Sequence, residues 1–384
     1  MISRRAILKT GGASAILSGA SAGGAALYAH GPGMAKARAP WAAAGTSFGD
    51  PRIDALAYAI LAPNPHNRQP WMFELVGDDR IDVYVDLNKR LPETDPFDRQ
   101  ITIGFGCMLE LLSMAAAEKG MRAEVIPFPD SQPQPRLTRS RVAQVTFVPD
   151  DANRDPLFEN ILARRSTKDP FDMTKPVGAD TLNQVLAAGT GQLSLGGTTD
   201  PDLIQELIDL AWLGWMIEYE TDQTRKESID LMRIGNRAVV ENPDGIDMGG
   251  VEMGLYKLTG IVSHEGLNDK GSQAYNIGID MYRDIIHSSM GFAWITASEN
   301  SRLSQIAAGR DWVRMNLAAQ RVGLGIHPLS QVLQEFPEMA EPYRAIHAKL
   351  GAEDGVVHMF GRLGYTRFPA ASPRWPVESK LISS

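Results

Sequence analysis

At 384 residues the chain exceeds one ordinary core and suits two domains, or one large domain with insertions. Its 43 % apolar and 22 % charged content is that of a soluble globular protein, and a formal charge of −8 argues against nucleic acid as the main partner, since neutralising phosphates needs a basic face. Cys107 is the only cysteine and the seven histidines lack paired spacing, so neither an intramolecular disulfide nor a metal site is expected.

The chain starts with Ser3-Arg4-Arg5-Ala6-Ile7-Leu8-Lys9, followed by Thr10 to Ala29 without a charge. This weakly hydrophobic, glycine-rich run makes a poor permanent membrane span. The pattern looks like a bacterial twin-arginine export signal, with small residues suited to cleavage at Ala35-Lys36-Ala37. We expect residues 1–37 to be this signal, read by the twin-arginine machinery, which moves proteins already folded and often already holding a cofactor, here to the periplasm. A retained N-terminal anchor is the alternative. Without Arg4, Arg5, Lys9 and Lys36 the charge would become −12.

Residues 38–49 are rich in Ala, Gly and Pro and read as linker. Asp50 to Leu61 has helical apolar spacing and stops at Pro63 and Pro65. Trp71 to Val76 and Ile81 to Leu87 alternate as strands around Gly77-Asp78-Asp79. Gly106 to Lys119 is an apolar helix ended by Gly120, and Ala123 to Phe128 and Val142 to Val148 are strands. Residues 50–150 thus form a first half and 151–384 a second.

The second half repeats features of the first. Ile60-Leu61-Ala62 precedes one polar motif and Ile161-Leu162-Ala163 another; Gly106 and Gly120 bracket a helix, as do Gly309 and Gly323. We expect two diverged copies of one α+β unit, the second carrying an insertion at about 201–275. Within it Pro201 to Tyr219 reads as a long amphipathic helix, Glu227 to Val240 as another, and the Gly- and Met-rich stretch 242–271 as a mobile lid or a plain surface excursion. Met290 to Ile295 returns as a buried strand, and the charges of Glu299 to Arg310 read as a solvated helix face.

The two polar motifs are Asn64-Pro65-His66-Asn67-Arg68-Gln69-Pro70-Trp71 and Arg164-Arg165-Ser166-Thr167-Lys168. An extended backbone would point Arg164, Ser166 and Lys168 the same way. Amides, a hydroxyl and fixed cations beside a flat apolar surface suit a heteroaromatic ring carrying a phosphate. Alone, Arg164-Arg165 would read as a solvated helix-end pair. Trp71 reads as a packing residue and His66 as a surface-loop histidine. No Gly-x-Ser-x-Gly elbow, phosphate loop or Gly-x-Gly-x-x-Gly fingerprint is present.

Asn67-x-Gln69-Pro70-Trp71 and Arg164-x-Ser166-Thr167-Lys168 resemble the two signatures of FMN-dependent nitroreductases, and Gly323-Leu324-Gly325-Ile326 and Phe360 to Tyr365 resemble that family's later landmarks. The resemblance covers nearly all of the chain after residue 50. The motif order is reversed relative to ordinary members, which resembles the Acg-type branch, where two degenerate copies fuse into a pseudo-dimer. It implies an α+β nitroreductase-like fold, a mainly antiparallel sheet with helices in each half, and a monomer with one FMN site. Asn67 and Gln69 of one half and Arg164, Arg165, Ser166 and Lys168 of the other would line it, with Gly323, Leu324 and Gly325. Arg374 is the best match to the terminal phosphate-binding residue, with Arg362 and Arg367 competing. The implied activity is two-electron transfer between a donor, NAD(P)H in the family, and a small electron-poor or aromatic substrate. The rival expectation is a protein that stores FMN without turnover.

Overall fold

The computed structural model describes residues 32–150 and 154–382. The twin-arginine stretch and the uncharged run after it lie outside the described residues. Helix α1 (Pro32–Ala43) comes first. Asp50 caps α2 (Pro51–Ala59) by accepting from the Arg52 N–H, and Pro51 supplies the preset first turn. Strands β1 (Trp71–Val76) and β2 (Arg80–Val85) then form a hairpin, α3 (Arg99–Glu118) crosses the core, and β3 (Met121–Pro127) and β4 (Ala143–Pro149) complete a sheet of order β1-β2-β4-β3.

The second half has α4 (Ala179–Leu186) and β5 (Ser194–Thr198). An insertion follows: α5 (Pro201–Glu220), α6 (Asp222–Asp230), β6 (Met232–Ile234), α7 (Asn236–Glu241), β7 (Ile246–Met248), α8 (Val251–Leu258), α9 (His264–Asn268) and α10 (Gln273–His287). Then come β8 (Gly291–Ala297), α11 (Arg302–Arg321), β9 (Gly325–Pro328), α12 (Ala340–Lys349) and β10 (Val356–Gly364). The order β5-β8-β10-β9 repeats the first sheet's, first-second-fourth-third in chain order, and both sheets are antiparallel throughout. The architecture is α+β in two halves, as expected, and one buried apolar cluster runs through both.

The halves meet where α3 crosses α11. Gly106 and Gly309 are each the eighth residue of a 20-residue helix. A Cβ on Gly106 would lie 2.1 Å from the Ile306 carbonyl oxygen, and one on Gly309 1.9 Å from that of Ile103. No side chain larger than hydrogen fits this crossing. The sequence spacing of these glycines therefore reports helix–helix contact rather than capping alone.

Four expectations change. Residues 38–49 are not linker throughout, because α1 extends to Ala43 and Trp41 is buried against the core. The helix expected over 227–240 breaks, since Met232 to Ile234 pairs in parallel with Ile246 to Met248 and tertiary pairing overrides helical spacing. Glu299 to Arg310 is not a solvated face: Arg302 is fully buried, donating to the carbonyls of Phe97, Pro133 and Pro135 in the first half. The stretch 242–271 is not bare loop, since Met248, Tyr256, Val262 and Leu267 share a small core with Ile229 and Ile234. Helix α3 alone among the described residues is long and apolar enough to cross a membrane, and it is the buried centre of the first half.

Candidate functional site

The loop after α2 is shaped by its polar side chains. The Asn64 side chain donates to the Ala62 carbonyl and accepts from the Gln69 N–H at 2.7 Å. Within this closed turn His66, Asn67 and Gln69 have φ of 47°, 52° and 50°, a left-handed conformation costing non-glycine residues about 1 kcal/mol each. Outside contacts hold it. The Asn67 amide donates to the Pro373 carbonyl, and its side-chain oxygen accepts from Arg374. Gln69 is fully buried, donating to the Pro243 carbonyl at 2.7 Å and accepting from the Trp375 N–H at 2.9 Å. Lys380 donates to the Gln69 carbonyl, and the Gly245 N–H to that of Asn67. Gln69 is thus a junction between the loop, the insertion and the C-terminal tail, and its side chain is spent on that task.

The second motif lies along β9. The Thr167 N–H and hydroxyl both donate to the Ile326 carbonyl. A Cβ on Gly325 would come within 2.6 Å of the Thr167 hydroxyl and 2.9 Å of the Phe171 ring, so glycine there lets the motif sit flat on the strand. Gly323 takes φ of 70° just past α11, and Leu324 is buried in the core. Gly325 thus lies directly against Thr167 of the motif, while Gly323 and Leu324 lead the chain from α11 into that strand.

The structure brings Arg164, Arg165 and Arg374 together. The Arg164 Nη2 and Arg374 Nη2 both donate to the Leu61 carbonyl, at 3.2 and 3.1 Å. Burial pushes Arg164 down to about 10 and Arg374 to about 9, the latter helped by the charges of Arg164 and Arg165. Among the described residues no carboxylate forms an ion pair with any of the three. The Arg164 Nε and Nη1 are buried with no hydrogen-bond partner. Arg374 differs: its guanidinium is committed to the carbonyls of Ile60, Leu61, Ala62 and Pro373 and to Asn67 and Ser372. Its part is to hold the Asn67 loop. Of its competitors, Arg362 is committed to His327, Ser288 and the carbonyls of Thr167 and Asp169, and Arg367 lies in an open groove with Lys175 and Tyr365.

At the other end of the motif Lys168 is half-buried and has no hydrogen-bond or ion-pair partner among the described residues. Burial lowers its pKa, against the pull of Asp247 and Glu218 from the insertion. The Lys168 charge in turn helps burial hold His66 down to about 3 and His327 well below the usual range. His66 is therefore a neutral, half-buried residue with an unpartnered buried Nδ1, not a surface histidine. Glu218 is pushed up to about 7 by burial, against hydrogen bonds from Gln334 at 2.7 Å and Ser228 at 3.2 Å. Sequence reasoning missed Glu218, His327 and Asp247. The one available signal was a lone acid within the apolar run Trp215-Met216-Ile217-Glu218-Tyr219. Ser166 is half-buried between the two cationic ends, and Trp71 is fully buried against Phe105, as expected of a packing residue.

An anion matches this donor set. Two unpartnered guanidinium nitrogens inside an uncompensated cationic cluster leave a desolvation and repulsion cost that a bound phosphate would offset. The lone cation of Lys168, one motif-length away, offers a second fixed charge for a ligand reaching from one end to the other.

No family model matches the chain. It is 24 % identical over 348 residues, 89 % of this chain and 93 % of the other, to a Mycobacterium tuberculosis protein with the provisional name NAD(P)H nitroreductase Rv3131. A shorter match, 29 % identical over 117 residues, covers 30 % of this chain and 34 % of a protein from the same organism provisionally named NAD(P)H nitroreductase acg. Among solved structures, the FMN-dependent nitroreductase NfnB of Mycobacterium smegmatis, in complex with NADPH, superposes with a TM-score of 0.35 at 17 % identity, covering 56 % of this chain and 93 % of its own. A Bacteroides fragilis nitroreductase with bound FMN gives 0.32 at 16 % identity, covering 56 % and 90 %. The fold assignment rests on the strand order described above.

Proposed function

We propose that this chain is an FMN-dependent oxidoreductase of the nitroreductase type, passing two electrons between a donor and a small electron-poor or aromatic substrate. The observation that carries this reading is the Arg164 guanidinium, buried with Nε and Nη1 unpartnered beside two further arginines and no paired acid. The provisional name of the Rv3131 relative, which matches along most of both chains, supports the same reading.

Arg164 would take the phosphate, with Arg165 adding charge and Ser166 a hydroxyl. FMN, once held, supplies the electron transfer, while position and electronic tuning belong to the protein. Lys168 would hold the ring end of the cofactor and supply a positive charge that favours its reduced, anionic form. Asn67 is oriented by Arg374 and the Pro373 carbonyl, and Gln69 locks the loop to the insertion. His66, kept neutral, can accept or donate one hydrogen bond without adding charge.

In this reading both sides of the site come from one chain, so the protein acts as a monomer. Export by the twin-arginine route would take it to the periplasm already loaded with FMN. That compartment lacks a dependable NAD(P)H supply, so the physiological donor there is a different reductant. The test is the visible spectrum of the gently purified full chain before and after anaerobic NADPH. Yellow absorbance that bleaches supports a working oxidoreductase. Yellow that resists NADPH but bleaches with dithionite points to storage or another donor. A colourless protein that added FMN cannot restore overturns the reading.

A further inference from the structure

Helix α1 lies over the arginine cluster and is fastened on three sides. The Trp41 ring centre is 4.7 Å from the Arg165 guanidinium carbon and 5.6 Å from that of Arg374. Its indole N–H donates to the Ser372 carbonyl at 2.8 Å, and the Ala37 carbonyl accepts from the Arg374 N–H at 2.8 Å. Met34 and Ala37 pack with Val239 and Val240 of α7, and Arg38 pairs with Asp247 at 3.4 Å. One short helix therefore ties the C-terminal tail and the insertion together across the cations that lack an acid.

We propose that α1 is a permanent wall of the phosphate end of the site and that Trp41 is a ligand-retention residue within it. The inference rests on the FMN reading above. A Trp face stabilises a guanidinium by about 0.5–2 kcal/mol, most when water is excluded. Trp41 is 7 % exposed, so its indole both offsets repulsion between Arg165 and Arg374 and closes their side toward α1 to water. A phosphate monoester paired with Arg164 would then be shielded from water on the α1 side, where each charge-assisted bond is stronger. The proposal also moves any processing point from Ala35-Lys36-Ala37 to the N-terminal side of Pro32, because a cut at Ala37 would divide α1 and remove the carbonyl that holds Arg374.

The test measures FMN release from the full chain after dilution, by recovery of flavin fluorescence, in wild type, Trp41→Ala, Trp41→Phe and Val240→Ala. Riboflavin, which has no phosphate, is the control ligand. We expect Trp41→Ala to release FMN about tenfold faster, equivalent to ~1.4 kcal/mol, with riboflavin release changed far less. Trp41→Phe should stay close to wild type. Val240→Ala, which loosens the docking of α1 without touching an arginine, should release FMN several-fold faster. Equal FMN release from all four proteins overturns the proposal and leaves the FMN reading standing, as does equal acceleration of FMN and riboflavin release. A wild type that binds neither flavin overturns both.

Discussion

Arg99 and Arg302 are structural counterparts that exchange places: each opens a 20-residue helix in one half and buries its guanidinium in the other. Arg99 donates to the Leu333 and His358 carbonyls and to Glu335 of the second half. Arg302 donates to the Phe97, Pro133 and Pro135 carbonyls and to Thr102 of the first. Both are fully buried, and most of their acceptors are backbone carbonyls of the opposite half. The exchange makes the halves a single folding unit.

Arg302→Ala should therefore destabilise the whole chain by about 3 kcal/mol, because it removes a fully buried side chain together with its charged hydrogen bonds to the Phe97, Pro133 and Pro135 carbonyls and to Thr102. Denaturant unfolding followed by far-ultraviolet circular dichroism checks this. A loss under about 0.5 kcal/mol, the usual size of a surface substitution, would refute the account.

Gly309→Ala should be among the most damaging single-methyl changes in the molecule. Its Cβ would fall 1.9 Å from the Ile103 carbonyl oxygen, which is backbone and cannot rotate aside. Overpacking of this kind costs roughly 1–3 kcal/mol and occasionally more. Alanine at Gly351, which has open space but φ of 67°, is the control and should cost about 1 kcal/mol through backbone strain alone.

Replacing Ser166 and Lys168 together by alanine should weaken FMN retention by at least tenfold while leaving the melting temperature near wild type. Neither side chain makes a hydrogen bond to the rest of the described protein, so the fold loses little. Equilibrium dialysis against free FMN reads the change, and unchanged retention would sink the assignment of this motif to the ligand.

The pH dependence of stability should carry a signature of Glu218. Its folded pKa is raised from 4.5 to about 7, chiefly by burial. A folded acid with a raised pKa binds its proton more tightly than the unfolded chain does. Its contribution is intact below pH 4.5 and declines as pH rises through 7. Glu218→Gln should remove that decline, gaining roughly 1–3 kcal/mol on wild type at pH 8 relative to pH 4.5. Denaturation curves for both proteins at the two pH values decide it; a constant difference between them would rule the assignment out.

Much of this architecture was legible from local chemistry. Alternating side chains marked β1, β2 and β4. Asp50-Pro51 marked the start of α2, and Gly120 and Gly323 marked the ends of α3 and α11. The two polar motifs announced themselves by residue types that no core position requires. In each case a residue and its near neighbours are enough, because hydrophobic period, capping and turn preference act over a few positions.

What the tertiary structure alone decided depends on acceptors and charges supplied from far along the chain. Arg302 reads as solvated until the Phe97, Pro133 and Pro135 carbonyls are seen to receive it. Arg374 reads as a phosphate ligand until six acceptors are seen to occupy it, whereas Arg164 retains two unpartnered nitrogens. His66 and Glu218 depart from ordinary titration because burial removes water from them, and burial is a property of the packed molecule. Helix α1 has an Ala-, Gly- and Pro-rich sequence with little helical pattern of its own. Its order comes from distant contacts: Trp41 with Arg165 and Arg374, Met34 and Ala37 with Val239, and Arg38 with Asp247.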